Sequence, residues 1–185
     1  MLTIDQLKIV SPHMAHNPNT CEDLFPHLLD AMEKACVNTD LRVAMFVAQT
    51  LHETGEYRYF QEIWGPTPQQ LKYEPPSELA TRLGNTEPGD GKLFKGHGAI
   101  QLTGRANHKH CGDVLGVDFI KNPELAASKE WAFRVAGWFW DLHELNTFCD
   151  TENLLEVTKR INGGTNGLES RQTYYERAKQ ALGLP

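Results

Sequence analysis

Apolar residues along this chain recur at helical rather than strand spacing, and the gaps between apolar stretches carry helix punctuation. Leu28, Leu29, Met32, Ala35 and Cys36 fall on one helical face behind a polar opening at residues 20–23, with Pro26 expected in the first turn. Leu41, Ala44, Met45, Ala48 and Leu51 make a second stripe, which Thr39 or Asp40 can cap and Gly55 can stop. Thr67-Pro68-Gln69-Gln70 has the form of a capping box with proline at the first helical position. A short helix over residues 76–83 ends at Gly84, and Thr103 can cap another running toward Leu115. Asn122-Pro123 and Ser128 are further starts, and residues 131–143 form a strongly apolar, aromatic-rich helix suited to the core centre. Segments 151–161 and 168–182 complete the set, with Gly163 and Gly183 as stops. The glycine-rich stretch 85–98 reads as an exposed loop with at most a short hairpin. The pattern predicts about eight or nine helices and little strand: an all-α, mostly helical domain.

Length and composition narrow this further. A chain of 185 residues suits one compact domain, residues 1–185, without a separate binding module. Hydrophobic residues make up 40% and charged residues 23%, which argues against disorder. No apolar run reaches the ~18 residues that span a bilayer, so stable membrane insertion is not expected. The first eight residues place an acid early and lack a basic region followed by an apolar one, so they do not read as a signal peptide. Cys21, Cys36, Cys111 and Cys149 are widely and irregularly spaced, and are expected to be reduced and packed rather than bridged. The net charge of −6, with the signs interspersed, leaves no basic face for nucleic acid. It equally provides no general attraction to an anionic cell wall.

Several chemistries fail on spacing. His52-Glu53 suggests a zinc peptidase, but two imidazoles on one helical face must lie four residues apart, and Glu56 stands where the second would be. His97, His108, His110 and Cys111 form a second group. On a helix, His108 and His110 diverge by ~200°, so they read as solvated or substrate-facing groups and no metal is expected. There is neither a Gly-x-Ser-x-Gly elbow nor a phosphate-binding Gly-x-x-x-x-Gly-Lys-Ser/Thr loop. Carboxylates remain. Glu53 ends an apolar helix and should be partly desolvated, which favours the protonated form that a general acid needs. Glu56 and Glu62 follow it, among Tyr57, Tyr59, Phe60 and Trp64, aromatic types suited to stacking on sugars. Trp131, Trp138 and Trp140 share one apolar helix and read as core. By spacing alone Glu53 is one carboxylate among many.

Three blocks, in order, carry a resemblance. The first is Gln49-Thr50-Leu51-His52-Glu53-Thr54-Gly55-Glu56 continuing to Glu62-Ile63-Trp64-Gly65-Pro66-Thr67-Pro68. The second runs from Leu83-Gly84-Asn85-Thr86 through Gly96-His97-Gly98-Ala99-Ile100-Gln101-Leu102-Thr103-Gly104-Arg105-Ala106-Asn107. The third is Ile161-Asn162-Gly163-Gly164-Thr165-Asn166-Gly167 ending at Ser170-Arg171. Together they resemble the family 19 glycoside hydrolases, and most of all their small endolysin branch in bacteriophages and prophages.

The resemblance implies a lysozyme-like, two-lobed helical domain with a cleft, working without a cofactor. It implies that Glu53 is the general acid, Glu62 the general base and Thr103 the hydroxyl that positions the attacking water. Gln101 and Asn107 would line sugar subsites, and Asn162 and Arg171 would also bind substrate close to the acid, where a guanidinium could orient a carboxylate. Trp64 and Tyr57 are the expected aromatic contacts to substrate. An inverting enzyme needs its two carboxyls ~6.5–9.5 Å apart to admit a water, against ~5–5.5 Å for a retaining one. Two departures stand out: His97 where the family often has arginine, and His108 where it commonly has tyrosine. The first could make activity sensitive to pH near histidine values, or His97 could simply pack beside the loop.

The expected function is that of a peptidoglycan hydrolase cutting β-1,4 bonds between amino sugars, monomeric, with glycan strands as its partner. It would be held in the bacterial cytoplasm until a separate route releases it to the wall. A chitinase, a non-catalytic sugar-binding protein on the same fold and a lytic transglycosylase are the alternatives.

Overall fold

The computed structural model describes residues 2–16 and 20–185. The described residues hold eleven α-helices: α1 (Ile4–Val10), α2 (Cys21–Lys34), α3 (Asp40–Thr54), α4 (Pro68–Leu71), α5 (Glu78–Leu83), α6 (Asp90–Leu93), α7 (Arg105–Leu115), α8 (Lys129–Leu142), α9 (Leu145–Cys149), α10 (Leu154–Asn162) and α11 (Leu168–Leu182). Short 3₁₀ turns lie at Pro12–His16 and Pro123–Ala127. In place of a sheet there are two isolated bridges, Gln61 to His97 and His97 to Leu102. The all-α expectation holds. The excess over eight or nine helices is α1, which the apolar pattern did not mark, and α6 and α9, too short to leave a periodic signature.

Most boundaries fall where the punctuation placed them. Thr39 caps α3 by accepting from the Arg42 N–H, and Gly55 ends it in the left-handed region at φ 56°. Thr67 and Gln70 form the reciprocal capping box. Two expectations fail. Pro26 lies inside α2, beyond its first turn, and the helix continues past it. The α7 cap is Gly104 rather than Thr103, whose hydroxyl donates to the Gln101 carbonyl instead.

α3 is buried on all sides from Val43 to Leu51, so it forms the core axis rather than a surface helix. α11 packs along it, α1 packs on α11, and α2 packs against α8. Phe46 meets Trp140 edge-on at 4.9 Å, the preferred geometry for two ring quadrupoles. A second, smaller cluster gathers Leu102, Cys111, Phe119, Ala126, Val135 and Trp138, with Phe139 packed against both clusters. Trp138 and Trp140 are core residues, as expected. All four cysteines are free, with Cys36 exposed rather than packed. No described helix is long and apolar enough to cross a membrane.

Candidate active site

The end of α3 presents Gln49 and Glu53, four residues apart and therefore on one face, to the first turns of α11. Arg171 on α11 is 1% exposed and splits its guanidinium between them: Nη1 donates to Gln49 Oε1 and Nη2 to Glu53 Oε1. Gln49 is fully buried and turns its amide toward Thr158 Oγ1 on α10, at 3.4 Å. Among the described residues the buried Arg171 Nε has no acceptor, so those two oxygens compensate the burial of this charge. Glu53 is partly desolvated as expected, with its side chain 17% exposed. Beside it, His52 Nδ1 meets Ser170 Oγ at 2.9 Å. Burial, and then the charge of Arg171, hold the His52 imidazole below its ordinary pKa.

Glu62 is positioned differently. The segment after α3 turns through Glu56 and Tyr57, both in the left-handed region, and then pairs with the loop that follows α6. The Glu62 N–H donates to the Gly96 carbonyl at 2.8 Å, and the Gly96 N–H returns to Glu62 Oε2 at 2.9 Å. Gln70 Nε2 donates to the other oxygen, Oε1, at 2.9 Å. Each carboxylate oxygen thus accepts one neutral N–H and keeps a further lone pair, as a base must. A Cβ at Gly96 would sit 2.3 Å from Gln101 Oε1, so a side chain there would push that amide aside.

Gln101 takes a positive φ of 39° and folds its amide back onto the Gly98 carbonyl at 3.2 Å. Thr103 is bound through its proton to Gln101 O at 2.9 Å, which leaves its oxygen able to accept from a water. Asn107 is exposed on the first turn of α7, its amide returning to Thr103 O at 2.8 Å. Gln101, Thr103 and Asn107 therefore form one hydrogen-bonded run next to the Gly96 loop. Trp64 is half-buried and tilted against Tyr73, with ring centroids 6.3 Å apart. Asn162 closes its own turn, donating to Asn166 O and accepting from Gly164 N, both at 3.0 Å.

Two expected substrate contacts are corrected by burial. Tyr57 is fully buried, edge-on to Phe133 at 5.1 Å with its hydroxyl at Thr50 Oγ1, so it belongs to the core. Arg171 is equally inaccessible and holds Glu53 rather than a sugar. Glu56, the rival base, is buried. It accepts from Ser11 Oγ at 2.5 Å, His13 N at 3.1 Å and the Tyr174 hydroxyl at 3.0 Å, so it ties the N-terminal segment to α11.

Of the histidines outside this site, His97 and His108 pack together, against the solvated or substrate-facing expectation, while His110 is exposed. His97 and His108 are buried and joined, Nδ1 to Nε2, at 3.0 Å. The Gly104 carbonyl takes the His108 Nδ1 proton, so His108 Nε2 accepts from His97, and His97 Nε2 accepts from Gln61 at 3.1 Å. Burial pushes both down: His97 to about 3, helped by neighbouring His108 and Lys95, and His108 to about 4. The pair stays neutral between pH 5 and 8, so the packing role of His97 prevails over pH sensing. His110 stands edge-on to Trp138 at 5.3 Å. Among the described residues no group of His, Cys, Asp or Glu is arranged to hold a metal ion.

Three polar residues that organise the site were not singled out from sequence. Gln49 is a polar residue in an otherwise apolar stripe, four before Glu53, and that oddity was its signal. Gln70 was visible only as a helix cap. Asp90, 2% exposed, accepts from Thr86 N, Glu87 N and the Arg105 guanidinium and so fixes the loop leading to Gly96. Nothing local in the sequence separates it from other loop acids.

Two separately fixed carboxyl groups are the kind of pair that acid–base cleavage of a glycosidic bond uses. Residues 23–152 match the chitinase class I family model, glycoside hydrolase family 19. A glycosyl hydrolase family 19 domain-containing protein of Haemophilus influenzae is 34% identical over 188 residues, covering 84% of this chain and 92% of that protein. The chain belongs to glycoside hydrolase family 19. Endochitinase At2g43620 of Arabidopsis thaliana is 34% identical over 149 residues, 77% of this chain but 48% of that protein, so the chain spans about half its length. In fold, chitinase C of Streptomyces griseus HUT6037 superposes with a TM-score of 0.74 at 22% identity, over 98% of this chain and 92% of that one. A bacterial family 19 chitinase gives 0.74 at 23% identity, over 99% and 95%.

Proposed function

We propose that this glycosidase hydrolyses β-1,4 bonds between amino sugars of peptidoglycan by single displacement. The observation that carries the acid–base reading is that the two carboxylates are fixed by separate partners, Glu53 by Arg171 and Glu62 by the N–H groups of Gln70 and Gly96, with the acid assigned to Glu53 by the family resemblance. Glu53 gives its proton to the glycosidic oxygen as the bond to the anomeric carbon breaks. The carboxylate it becomes is the species that Arg171 binds, so the guanidinium stabilises the product of proton transfer. Glu62 takes a proton from a water, which attacks the anomeric carbon from the opposite face and yields an inverted hemiacetal. The Thr103 oxygen, free to accept, holds that water; Gln101, Asn107 and Trp64 contact the sugars.

The bacterial relative, covered over 92% of its length, is named only as a family 19 glycosyl hydrolase, so the peptidoglycan reading rests on the resemblance of the three sequence blocks to the small endolysin branch. The chain would then act on the wall from within a bacterium, as a single catalytic unit reaching its substrate by a separate release route. A chitinase is the second reading, supported by the chitinases among the plant relatives and solved structures. Loss of turbidity with outer-membrane-permeabilised Gram-negative cells, and no soluble sugar from colloidal chitin, is the expected result. The reverse pattern selects the chitinase.

A further inference from the structure

Capping accounts for only half of what Gln70 touches. Its Oε1 accepts from Thr67 N at 2.8 Å and Gly65 N at 3.2 Å, which is the cap. Its Nε2 donates to Glu62 Oε1 at 2.9 Å and Ile63 O at 2.8 Å. The side chain is 5% exposed. Turning the amide over would set its NH2 against two N–H groups and its oxygen against a carboxylate and a carbonyl, so the neighbours dictate its orientation. A helix N-terminus welcomes a carboxylate at this position, and glutamate would cap as well as glutamine. What glutamate could not do is donate to Glu62.

We propose that Gln70 is a positioning residue for the base: seated by the N–H groups of Gly65 and Thr67, its amide fixes the Glu62 carboxylate so that the remaining lone pairs face the attacking water. Gly96 N anchors the other oxygen, and the two donors together hold a flexible side chain in one orientation. The inference rests on Glu62 being the base. The charged and titratable groups that bear on Glu62 from other elements are Lys95, beside Gly96, and Tyr73, which follows α4.

The test compares Gln70→Glu, Gln70→Ala, Thr67→Ala and Glu62→Gln in the full chain, on purified Gram-negative sacculi and on chitohexaose in parallel. Gln70→Glu keeps the acceptor for the cap but puts a second carboxyl against Glu62. It should lower kcat by about tenfold or more with KM little changed. It should also move the acid limb of the rate–pH profile upward, because two adjacent carboxyls share protons. Gln70→Ala should lower kcat similarly without moving that limb, which covers the case in which Gln70→Glu fails to fold. Thr67→Ala weakens only the cap and should cost stability while leaving kcat within about twofold. Wild-type kcat and an unmoved pH profile in Gln70→Glu overturn the inference, as does Thr67→Ala lowering kcat as much as Gln70→Ala. An inactive Glu62→Gln beside a fully active Gln70→Glu removes this inference alone, whereas an active Glu62→Gln removes the base assignment beneath it.

Discussion

Arg171 and Glu53 meet across the α3–α11 interface, one 1% exposed and the other 17%, and each is the other's charge partner. The most extensive helix packing of the core and the proposed acid are therefore one structure. Removing the arginine leaves the carboxylate without its cation and Gln49 without its donor. Arg171→Met should cost ~3 kcal/mol by urea unfolding, the scale for breaking a buried pair. Arg171→Lys keeps a charge but not the fork, so it should recover part of the stability and little of the activity. Full activity in Arg171→Lys would show that orientation by two separate N–H groups is unimportant.

The carboxylates should separate by substitution. Glu53→Gln is expected to fold normally and lose at least ~10³-fold in kcat, the scale for removing a general acid. Glu62→Gln should lose as much or less. Glu56→Gln should instead weaken the tie among Ser11, His13 and Tyr174, shown by a lower melting temperature with kcat within about threefold in the folded protein. Glu56→Gln inactive and Glu62→Gln active would exchange their roles.

The buried histidine pair should show in stability rather than in catalysis. Both folded pKa values lie below the ordinary 6.5, at about 3 for His97 and about 4 for His108. Between those values and 6.5 the unfolded chain binds more protons, so stability is complete above 6.5 and declines as pH falls toward 4. Two such groups give a slope of up to ~2.7 kcal/mol per pH unit. His52 and His143, also lowered by burial, act in the same sense. Urea unfolding from pH 7.5 to 4.5 reads this slope, and His108→Asn should flatten it. A slope unchanged in that variant would mean that the pair does not set it.

Much of this architecture was legible because helix boundaries are chemically local. Thr39, Gly55, the Thr67–Gln70 box and Gly84 each satisfy or terminate a backbone within a few residues. α6 and α9 were missed because four or five residues show no period, and the seven-residue α1 was missed although Thr3 and Gln6 form a capping box at its start. Glu53 and Glu62 emerged from the order of the three blocks, not from charge pattern. Arg171, 118 residues beyond Glu53, was placed beside it by the third block alone, whereas Gly96 and Gln70 gave no sign of holding Glu62, because a loop 34 residues on and a helix cap carry no mark of what they touch. Tyr57 illustrates the opposite error: an aromatic near the acid in sequence is turned into the core by the left-handed residues at 56 and 57.

The turn that precedes α11 depends on Gly167. It lies at φ +72°, and a Cβ there would be 2.2 Å from His52 Nε2. Gly167→Ala should therefore cost ~1–2 kcal/mol through backbone strain, and more if His52 cannot yield. Displacing His52 disturbs its bond to Ser170, the residue before Arg171. Activity should fall further than the loss of folded protein explains. Wild-type specific activity would show that this turn is remote from the chemistry.

The most direct test is analysis of the fragments from purified Gram-negative peptidoglycan, with the anomeric configuration followed by proton NMR during the first turnovers. Single displacement through Glu53 and Glu62 predicts hydrated reducing ends released as the inverted anomer, and no trapped glycosyl-enzyme. Retained configuration, or products carrying 1,6-anhydro ends, would contradict it.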